Sequence, residues 1–294
     1  MSGFSAIDLS QIAAPAVVET LDYEAILQAM RDDLVARDPS FTALLESDPA
    51  IKLLEVAAWR ELLLRQRVND AARAVMLAHA VGSDLDNLAA LFSVQRQIVD
   101  PGDPEAVPPV APTYEDDERL RRRTQLALEG FSVAGPAGAY IFHALSADGA
   151  VHDVAVASPT PGQVIVTILS ASGDGTADAA LLANVSAVLD DDDVRPLTDQ
   201  LTVQSAGIVG YSVSASLDLA SGPDPEVVRQ KAVDGLAAYV AARHRIGLAV
   251  TISGLHAAAT VEGVHKVTLS APAADIEPSD SQAAHCSSID VVIA

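Results

Sequence analysis

The sequence predicts an α+β protein with a long-helix region at its N-terminal end, followed by two small α+β subdomains. Three observations predict this class. Apolar residues recur every three or four positions through residues 23–81, five prolines interrupt residues 99–113, and apolar residues alternate with small or polar ones from Val151 onward. With 294 residues, 50% of them hydrophobic, the chain can bury more than one core.

The N-terminal region is predicted to hold one ordinary helix and one long helix. Residues 23–36 place their apolar side chains on a single stripe. Asp48 is a suitable N-cap, Pro49 suits the first helical position, and no Gly or Pro occurs from Ala50 to Val81. That helix would have about 32 residues and measure roughly 48 Å. Its apolar residues lie on several faces, so it needs several partners, from this chain or from another.

Short helices are predicted on both sides of a proline-rich segment. Gly82 is expected to end the long helix, and Ser83 with Asp86 resembles a capping box for a helix over Leu85–Phe92. Residues 99–113 predict a linker or an extended strap.

The next segment, Glu115–Glu129, predicts a charged helix. Its acids precede its arginines by four residues: Glu115 and Arg119, Asp117 and Arg121, Glu118 and Arg122. We therefore expect a salt-bridged surface helix, with a partner-binding helix as the alternative. A glycine-rich break over residues 130–138 precedes a helix over Ala139–Ala147.

The C-terminal half predicts strands that alternate with helices. A hairpin is expected around Val154–Ile168, and a long helix is expected from Asp224-Pro225 to about Arg245, ended by Gly247. The other expected elements are helices Ala177–Leu189 and Leu255–Val261 and strands Leu201–Val203, Tyr211–Leu219, Leu248–Ile252, Val264–Leu269 and Ile289–Ile293.

A weak internal repeat links the two α+β subdomains. Phe142–Pro159 aligns with Leu255–Pro272, and His143 and His152 recur as His256 and His265. We therefore expect the subdomains to be related. The predicted organisation is a helical bundle-forming region at 1–98, a proline-rich linker at 99–114, a helical connector at 115–148, a first α+β subdomain at 149–209 and a second at 210–294.

Composition excludes several classes of protein. The net charge of −22 argues against nucleic-acid binding, which requires Lys and Arg to replace the counterions of phosphate groups. Cys286 is the single cysteine, so neither an intramolecular disulfide nor a cysteine-based zinc site is expected. The start of the chain lacks the pattern of a secretory signal, and the uncharged stretch at 154–173 contains prolines that do not suit a membrane span.

No motif indicates catalysis, a cofactor or a metal. The seven histidines lack metal-ligand spacing and are interpreted as structural or surface residues. The run Asp190–Asp193 is interpreted as a solvated loop, with a weak cation site or a contact with a basic partner as the alternative. Ser172–Thr176 is interpreted as a turn with a helix cap, and adjacent His285 and Cys286 would point to opposite faces of a strand.

Four blocks of sequence, in order, resemble motifs of the baseplate J-like family. They are SDLDNLAALFSVQR at 83–96, DDERLR at 116–121 with SVAGP at 132–136 and Tyr140, HDV at 152–154 with PTPGQV at 159–164, and VRPLTD at 194–199. The motif residues are Asp84, Leu85, Asp86, Arg96, Arg119, Gly135, Pro136, Arg195, Pro196, Leu197 and Asp199. The sequence departs from the family at Phe92-Ser93, where a glycine before the valine is usual.

The resemblance implies a structural protein of the baseplate of contractile-tailed phages or phage-tail-like bacteriocins. Members assemble with a second copy and an I-like tail protein into a wedge, to which a lysozyme-like sheath-initiator protein attaches, and wedges ring the hub and spike. Rearrangement of the ring triggers sheath contraction. We therefore expect the chain in the virion tail baseplate, after assembly in the host bacterial cytoplasm.

The family's long N-terminal helices join a bundle between chains, and its C-terminal domains contact a neighbouring copy. Residues Leu54, Trp59, Leu62 and Val75 are the candidates for the bundle contact. Two other hypotheses remain open from the residues themselves: a soluble, non-catalytic adaptor module, and an enzyme that uses a metal at Asp190–Asp193.

Overall fold

The computed structural model describes residues 9, 12–13, 19, 21–41, 48–132, 134–222 and 224–294. These residues form helices and open sheets, with the first helices in the N-terminal part, which confirms the predicted α+β class. Two compact units are present. The helical unit contains the described residues up to Gln95 together with Asp116–Thr124, and the α+β unit contains Arg96–Glu115 and Gln125–Ala294.

The helical unit contains helices α1 (Tyr23–Arg37), α2 (Pro49–Ala74), α3 (Gly82–Ala90) and most of α4 (Asp117–Leu126). Carboxylates start the first two helices: an oxygen of Asp22 accepts from the N–H of Ala25, and one of Asp48 accepts from that of Ala50. Ile26 and Leu27 of α1 pack against Ala58 of α2 to form the core between these helices.

The long helix is shorter than predicted. Helix α2 has 26 residues and ends at Ala74 instead of near Val81. Arg121 accounts for the difference, because its guanidinium donates to the carbonyl oxygens of Leu77 and Ala80 and so stabilises a non-helical path. No Gly or Pro marks this ending in the sequence.

The predicted capping box at the start of α3 is wrong. Helix α3 begins at Gly82, which has a φ of 54°, and the residue before it makes no side-chain cap. The Gly82 N–H instead donates to the carboxylate of Asp117, at 3.1 Å from Oδ2. A carboxylate from α4 therefore helps to hold the start of α3.

The prediction that α4 lies at the surface is also wrong, because one side of the helix is buried. Leu120, Arg121, Arg123 and Thr124 are all buried. Arg121 does pair with Glu118 at 2.8 Å, but its other nitrogens serve backbone carbonyls. Arg121 and Arg123 therefore stabilise the fold from inside.

The proline-rich segment folds back on itself within the α+β unit. Strand β1 (Ile98–Asp100) pairs antiparallel with β2 (Thr113–Tyr114), and Asp103 pairs with Val110 through two backbone hydrogen bonds. We call residues 98–114 the arm.

The first α+β subdomain has a three-stranded sheet with two helices. Its elements are α5 (Ala137–Ala147), β3 (Val151–Ala157), β4 (Gln163–Ser170), α6 (Ala179–Leu189) and β5 (Gln200–Ser205). Central strand β4 is antiparallel to β3, which confirms the predicted hairpin, and parallel to β5. Tyr140, Leu145, Ile168 and Leu189 lie in its core.

The second α+β subdomain repeats this sheet composition in a different chain order. Its elements are β6 (Gly207–Leu219), α7 (Pro225–Arg243), α8 (Ile252–Ala259), β7 (Val264–Ala271) and β8 (Gln282–Ile293). Central strand β6 is antiparallel to β7 and parallel to β8. The strand predicted at Leu248–Ile252 is wrong: Val250 makes an isolated bridge, and Thr251 caps α8 by accepting from the N–H of Gly254.

The internal repeat corresponds to one helix and one edge strand in each subdomain. Helix α5 leads into β3, α8 leads into β7, and each strand forms the antiparallel edge of its sheet. The correspondence ends there, because the next strand is central in the first subdomain and an edge in the second.

Candidate functional site

Motif residues from two separate blocks meet in the first α+β subdomain. Gly135 has a φ of 74°, and a Cβ at this position would lie 2.7 Å from Pro196 Cγ and 3.1 Å from Asp199 Oδ2. Only glycine fits both the backbone conformation and the space. The segment before α5 can therefore approach the loop at 190–199. We call Gly135, Tyr140, Arg195, Pro196 and Asp199 the motif cluster.

Asp199 is the central acceptor of the motif cluster. The hydroxyl of buried Tyr140 donates to its Oδ2 at 2.8 Å, and Arg195 Nη1 donates to its backbone carbonyl at 3.3 Å. Burial, with the hydrogen bond to Asp199 as the next cause, raises the pKa of Tyr140, so the phenol stays neutral at physiological pH. A neutral phenol and a carboxylate that accepts from it fix the loop in place.

An open cavity of about 270 Å³ lies beside the cluster, lined partly by Ala134, Val156, Ser158 and Val164. The neighbouring Leu197 is 98% exposed. The arrangement is that of a surface loop held rigidly, with an apolar side chain presented to solvent.

Residues of the first motif block lie at the start of α3 in the helical unit. Leu85 is buried, while Asp84 lies exposed in the first turn of α3, one residue before it. Asp86 is half-buried. In the DDERLR block, the N–H of Arg119 donates to Asp116 Oδ1 at the start of α4.

The backbone still makes a left-handed turn at Phe92-Ser93, where the sequence departs from the family. Among the described residues Ser93 is the one non-glycine with positive φ, at 60°. The Val94 N–H donates to the Ala89 carbonyl and the Ser93 N–H to that of Ala90, which closes the end of α3. Serine thus occupies a position that favours glycine.

The four residues predicted for a bundle contact lie in different surroundings. Leu54 and Leu62 pack against the α1–α2 core. Trp59 is 53% exposed and makes an edge contact with Tyr23, and Val75 is exposed just beyond the end of α2. The structure therefore brings two of them into the chain's own core and leaves two at the surface.

A larger apolar surface lies on the side of α2 opposite to the one that packs against α1. The sequence prediction did not single it out. It consists of Leu53, Val56, Leu63, Leu64 and Val68, all exposed. We call these residues the outer stripe. Leu53 and Leu64, 72% and 65% exposed, are about three turns apart and so on the same side. The buried Ile51, Ala58 and Asn69 mark the other side.

Three histidines lie close together in the α+β unit. The ring of His244 stacks on that of His152 at 5.7 Å and meets that of His285 at 5.4 Å. His244 Nδ1 lies 2.7 Å from the carbonyl oxygen of Ala284, and Asp153 accepts from the Ile246 N–H at 3.0 Å. These contacts join the two α+β subdomains.

Two further features of the described residues bear on function. Among them, no group of His, Cys, Asp and Glu side chains is arranged to hold a metal ion. None of the helices that the structure describes combines the length and apolar character that crossing a membrane requires.

Comparison with known proteins defines the class. Models of the baseplate J-like N-terminal domain, the baseplate J-like central domain and the baseplate J-like protein C-terminal domain match residues 46–103, 132–205 and 211–292. The chain therefore belongs to the baseplate J-like family, as the motifs indicated, and this membership makes it a structural protein of the phage tail baseplate.

One such relative is baseplate protein J of Escherichia phage P2. The two chains are 47% identical over 293 residues, which cover 97% of each. Among solved structures, the baseplate of the anti-feeding prophage contains a chain with 12% identity and a TM-score of 0.33. That match covers 92% of this chain and 54% of the other, so this chain spans about half of its length.

Proposed function

We propose that this chain is a component of the baseplate wedge of a contractile phage tail or tail-like particle. It assembles with a partner tail protein into a ring around the hub and helps to trigger sheath contraction. The observation that carries the proposal is the outer stripe of α2, because a helix with two apolar faces needs a partner on each.

The two apolar faces of α2 make different contacts. The inner face packs on α1 through Ala58, Leu54 and Leu62. Single exposed apolar residues are normal on a protein surface, but five on one side of one helix mark an interaction site. We assign the outer stripe to an intermolecular helical bundle with the I-like tail protein and a second copy of this chain.

Two arginines place positive charge beside the outer stripe. Arg60 and Arg67 are exposed, and the helical repeat places them on the same side as Leu53 and Leu64. Their guanidinium groups favour partner helices that carry carboxylates beside their apolar residues.

The C-terminal subdomain provides the contact between neighbouring wedges. In the described residues its sheet ends at β8, a strand of 12 residues that pairs with β6 on one side. Exposed Val292 and Ile293 lie at the end of this strand. An edge strand with apolar residues favours association with another chain.

Charge sets a condition on ring assembly. Residues 147–294 carry 18 acids and 6 bases, a balance of −12. Copies of this half repel one another at low ionic strength. The ring therefore needs salt, divalent cations or basic surfaces on the hub, the spike or the lysozyme-like sheath-initiator protein.

The proposal is tested by co-expression of this chain with the I-like protein from the same gene cluster, in the host cytoplasm where assembly is expected. Negative-stain microscopy of the purified product should show elongated wedges or rings, and the chain should be present in the baseplates of purified tails. A monodisperse monomer that ignores its partner, or tails that lack the chain, would contradict the proposal.

A further inference from the structure

The arm is an ordered protrusion that the proposed wedge contacts do not use. All residues from Ile98 to Tyr114 are exposed except Gly102 and Ala106, which are half-buried. At its tip, the side chain of Val107 is 97% exposed. A segment with so little burial gains little stability from its own chain, so its apolar side chains point to a contact elsewhere.

The base of the arm is anchored firmly to the α+β unit. Gln97 and Glu115 exchange backbone and side-chain hydrogen bonds, with the Glu115 N–H donating to the Gln97 carbonyl at 2.9 Å. Arg96 Nη1 donates to the Glu115 carbonyl at 2.7 Å, and Gln97 Nε2 donates to the Ser146 carbonyl at 2.7 Å. The arm therefore has a fixed direction relative to α5.

The body of the arm is pre-organised for binding. Proline fixes φ, and the arm contains Pro101, Pro104, Pro108, Pro109 and Pro112. The Asp103–Val110 bridge closes the tip, and Asp103 Oδ1 accepts from the Glu105 N–H at 2.9 Å. A segment that is already ordered loses little conformational entropy when it docks.

The composition of the arm indicates the chemistry of its partner. The sequence Ala106-Val107-Pro108-Pro109-Val110 is apolar and proline-rich, and such segments bind grooves lined with aromatic side chains. Three acids, Asp100, Asp103 and Glu105, accompany it, and no Lys, Arg or His occurs in residues 97–118. A complementary groove therefore has a basic rim.

A second copy of this chain fits that description less well. Its net charge is −22, and aromatic residues make up 4% of it. We propose that the arm docks into an aromatic-lined groove with a basic rim on a different protein of the same tail. This inference rests on the proposed function, since the partner is another component of the particle.

Cross-linking in assembled particles tests the inference directly. A photoreactive p-benzoylphenylalanine replaces Val107 in the full chain, and the purified tails are irradiated and digested. The cross-link is expected to join residue 107 to another tail protein, at a segment with aromatic and basic residues. A cross-link to a second copy, or chains in the tail without any cross-link, would overturn the inference alone, whereas tails that lack the chain would overturn the proposed function as well.

A matched pair of variants measures what the arm contributes. Val107→Asp at the tip should weaken binding to the cross-linked partner by about tenfold or more, because a buried valine contributes about that factor. Val227→Asp makes the same change at an exposed position in the first turn of α7, where a carboxylate is tolerated. It should bind within about twofold of the unmodified chain, and equal binding by both variants would overturn the inference.

Charge reversal at the tip separates the basic rim from the apolar groove. Glu105→Lys should weaken binding at low salt and reduce its salt dependence, since exposed charges interact mainly at low ionic strength. Circular dichroism should show an unchanged fold for each variant, because residues 105 and 107 are exposed. Stronger binding by Glu105→Lys would show that the rim is acidic, which would contradict the proposed partner.

Discussion

Arg121 Nη2 donates to the carbonyl oxygen of Ala80 at 2.7 Å, across 41 residues of sequence. Its Nε donates to Leu77 at 2.7 Å, so one buried side chain satisfies two carbonyls in the turn after α2. Guanidinium is suited to this task because its donors form a rigid, planar fork. Arg121 therefore stabilises the turn that follows α2.

Replacement of that arginine should loosen the turn. Arg121→Lys keeps the charge but cannot reach both carbonyls, which should cost about 2–3 kcal/mol of stability. Hydrogen exchange should accelerate at residues 75–81 before the rest of the helical unit is affected. Arg60→Lys, at an exposed position of α2, is the control and should leave that exchange unchanged. Unaltered protection at residues 75–81 in Arg121→Lys would show that the arginine does not hold the turn.

The left-handed residue Ser93 offers a stabilising substitution. Ser93→Gly should raise the free energy of unfolding by about 0.5–1 kcal/mol, since a residue with a Cβ is strained at a φ of 60°. Thermal unfolding provides the measurement. Ser93→Ala, which keeps the Cβ, should give no gain, and equal stabilities of the Gly and Ala variants would count against a strained turn.

The approach of Gly135 to Pro196 predicts a steric cost. Gly135→Ala should destabilise the first α+β subdomain by about 2 kcal/mol and increase hydrogen exchange over residues 194–199. Gly173→Ala is the matched control, because Gly173 has a similar φ of 64° but a Cβ at this position would meet nothing within 4 Å. The control suffers backbone strain alone, so equal effects of the two substitutions would contradict a close packing of the motif cluster.

The thiol of Cys286 should react slowly in the folded chain. Burial is the main cause that raises its pKa, so the reactive thiolate is scarce near neutral pH. Alkylation by iodoacetamide should be at least about tenfold slower in the native chain than in urea, and should speed up as the pH is raised toward 9. The single cysteine makes the mass measurement unambiguous, and equal native and denatured rates would refute this account.

Caps and periodicity in the sequence predicted those helices and strands whose ends depend on residues close by in the chain. Helix α7 has its predicted Asp224-Pro225 start, with Asp224 accepting from the Glu226 N–H, and ends at Arg243 before Gly247. The β3–β4 hairpin followed from alternation alone. The end of α2 could not be predicted, because Arg121, which stabilises it, lies 44 residues beyond Leu77.

The candidate site was likewise predictable only in part. The motifs identified Tyr140 and Asp199 separately, but only the fold brings together two residues that are 59 positions apart. Similarly, α2 is apolar on several faces, so periodicity could not decide which face α1 covers. Leu54 and Leu62 lie on the covered side, whereas the outer stripe lies on the other.

The central claim is that the outer stripe of α2 joins this chain to its partners, and tail assembly with a matched pair of variants tests it most directly. Leu64→Asp places a charge within the stripe, whereas Gln66→Asp places the same charge on the nearly opposite side of the same helix, since each residue turns the helix by about 100°. Both positions are exposed, so both variants should fold. Complementation of a deletion strain should yield intact contractile tails with Gln66→Asp and at least about tenfold fewer with Leu64→Asp, because a buried unpaired carboxylate is costly. Equal yields of intact tails from the two variants would contradict the claim.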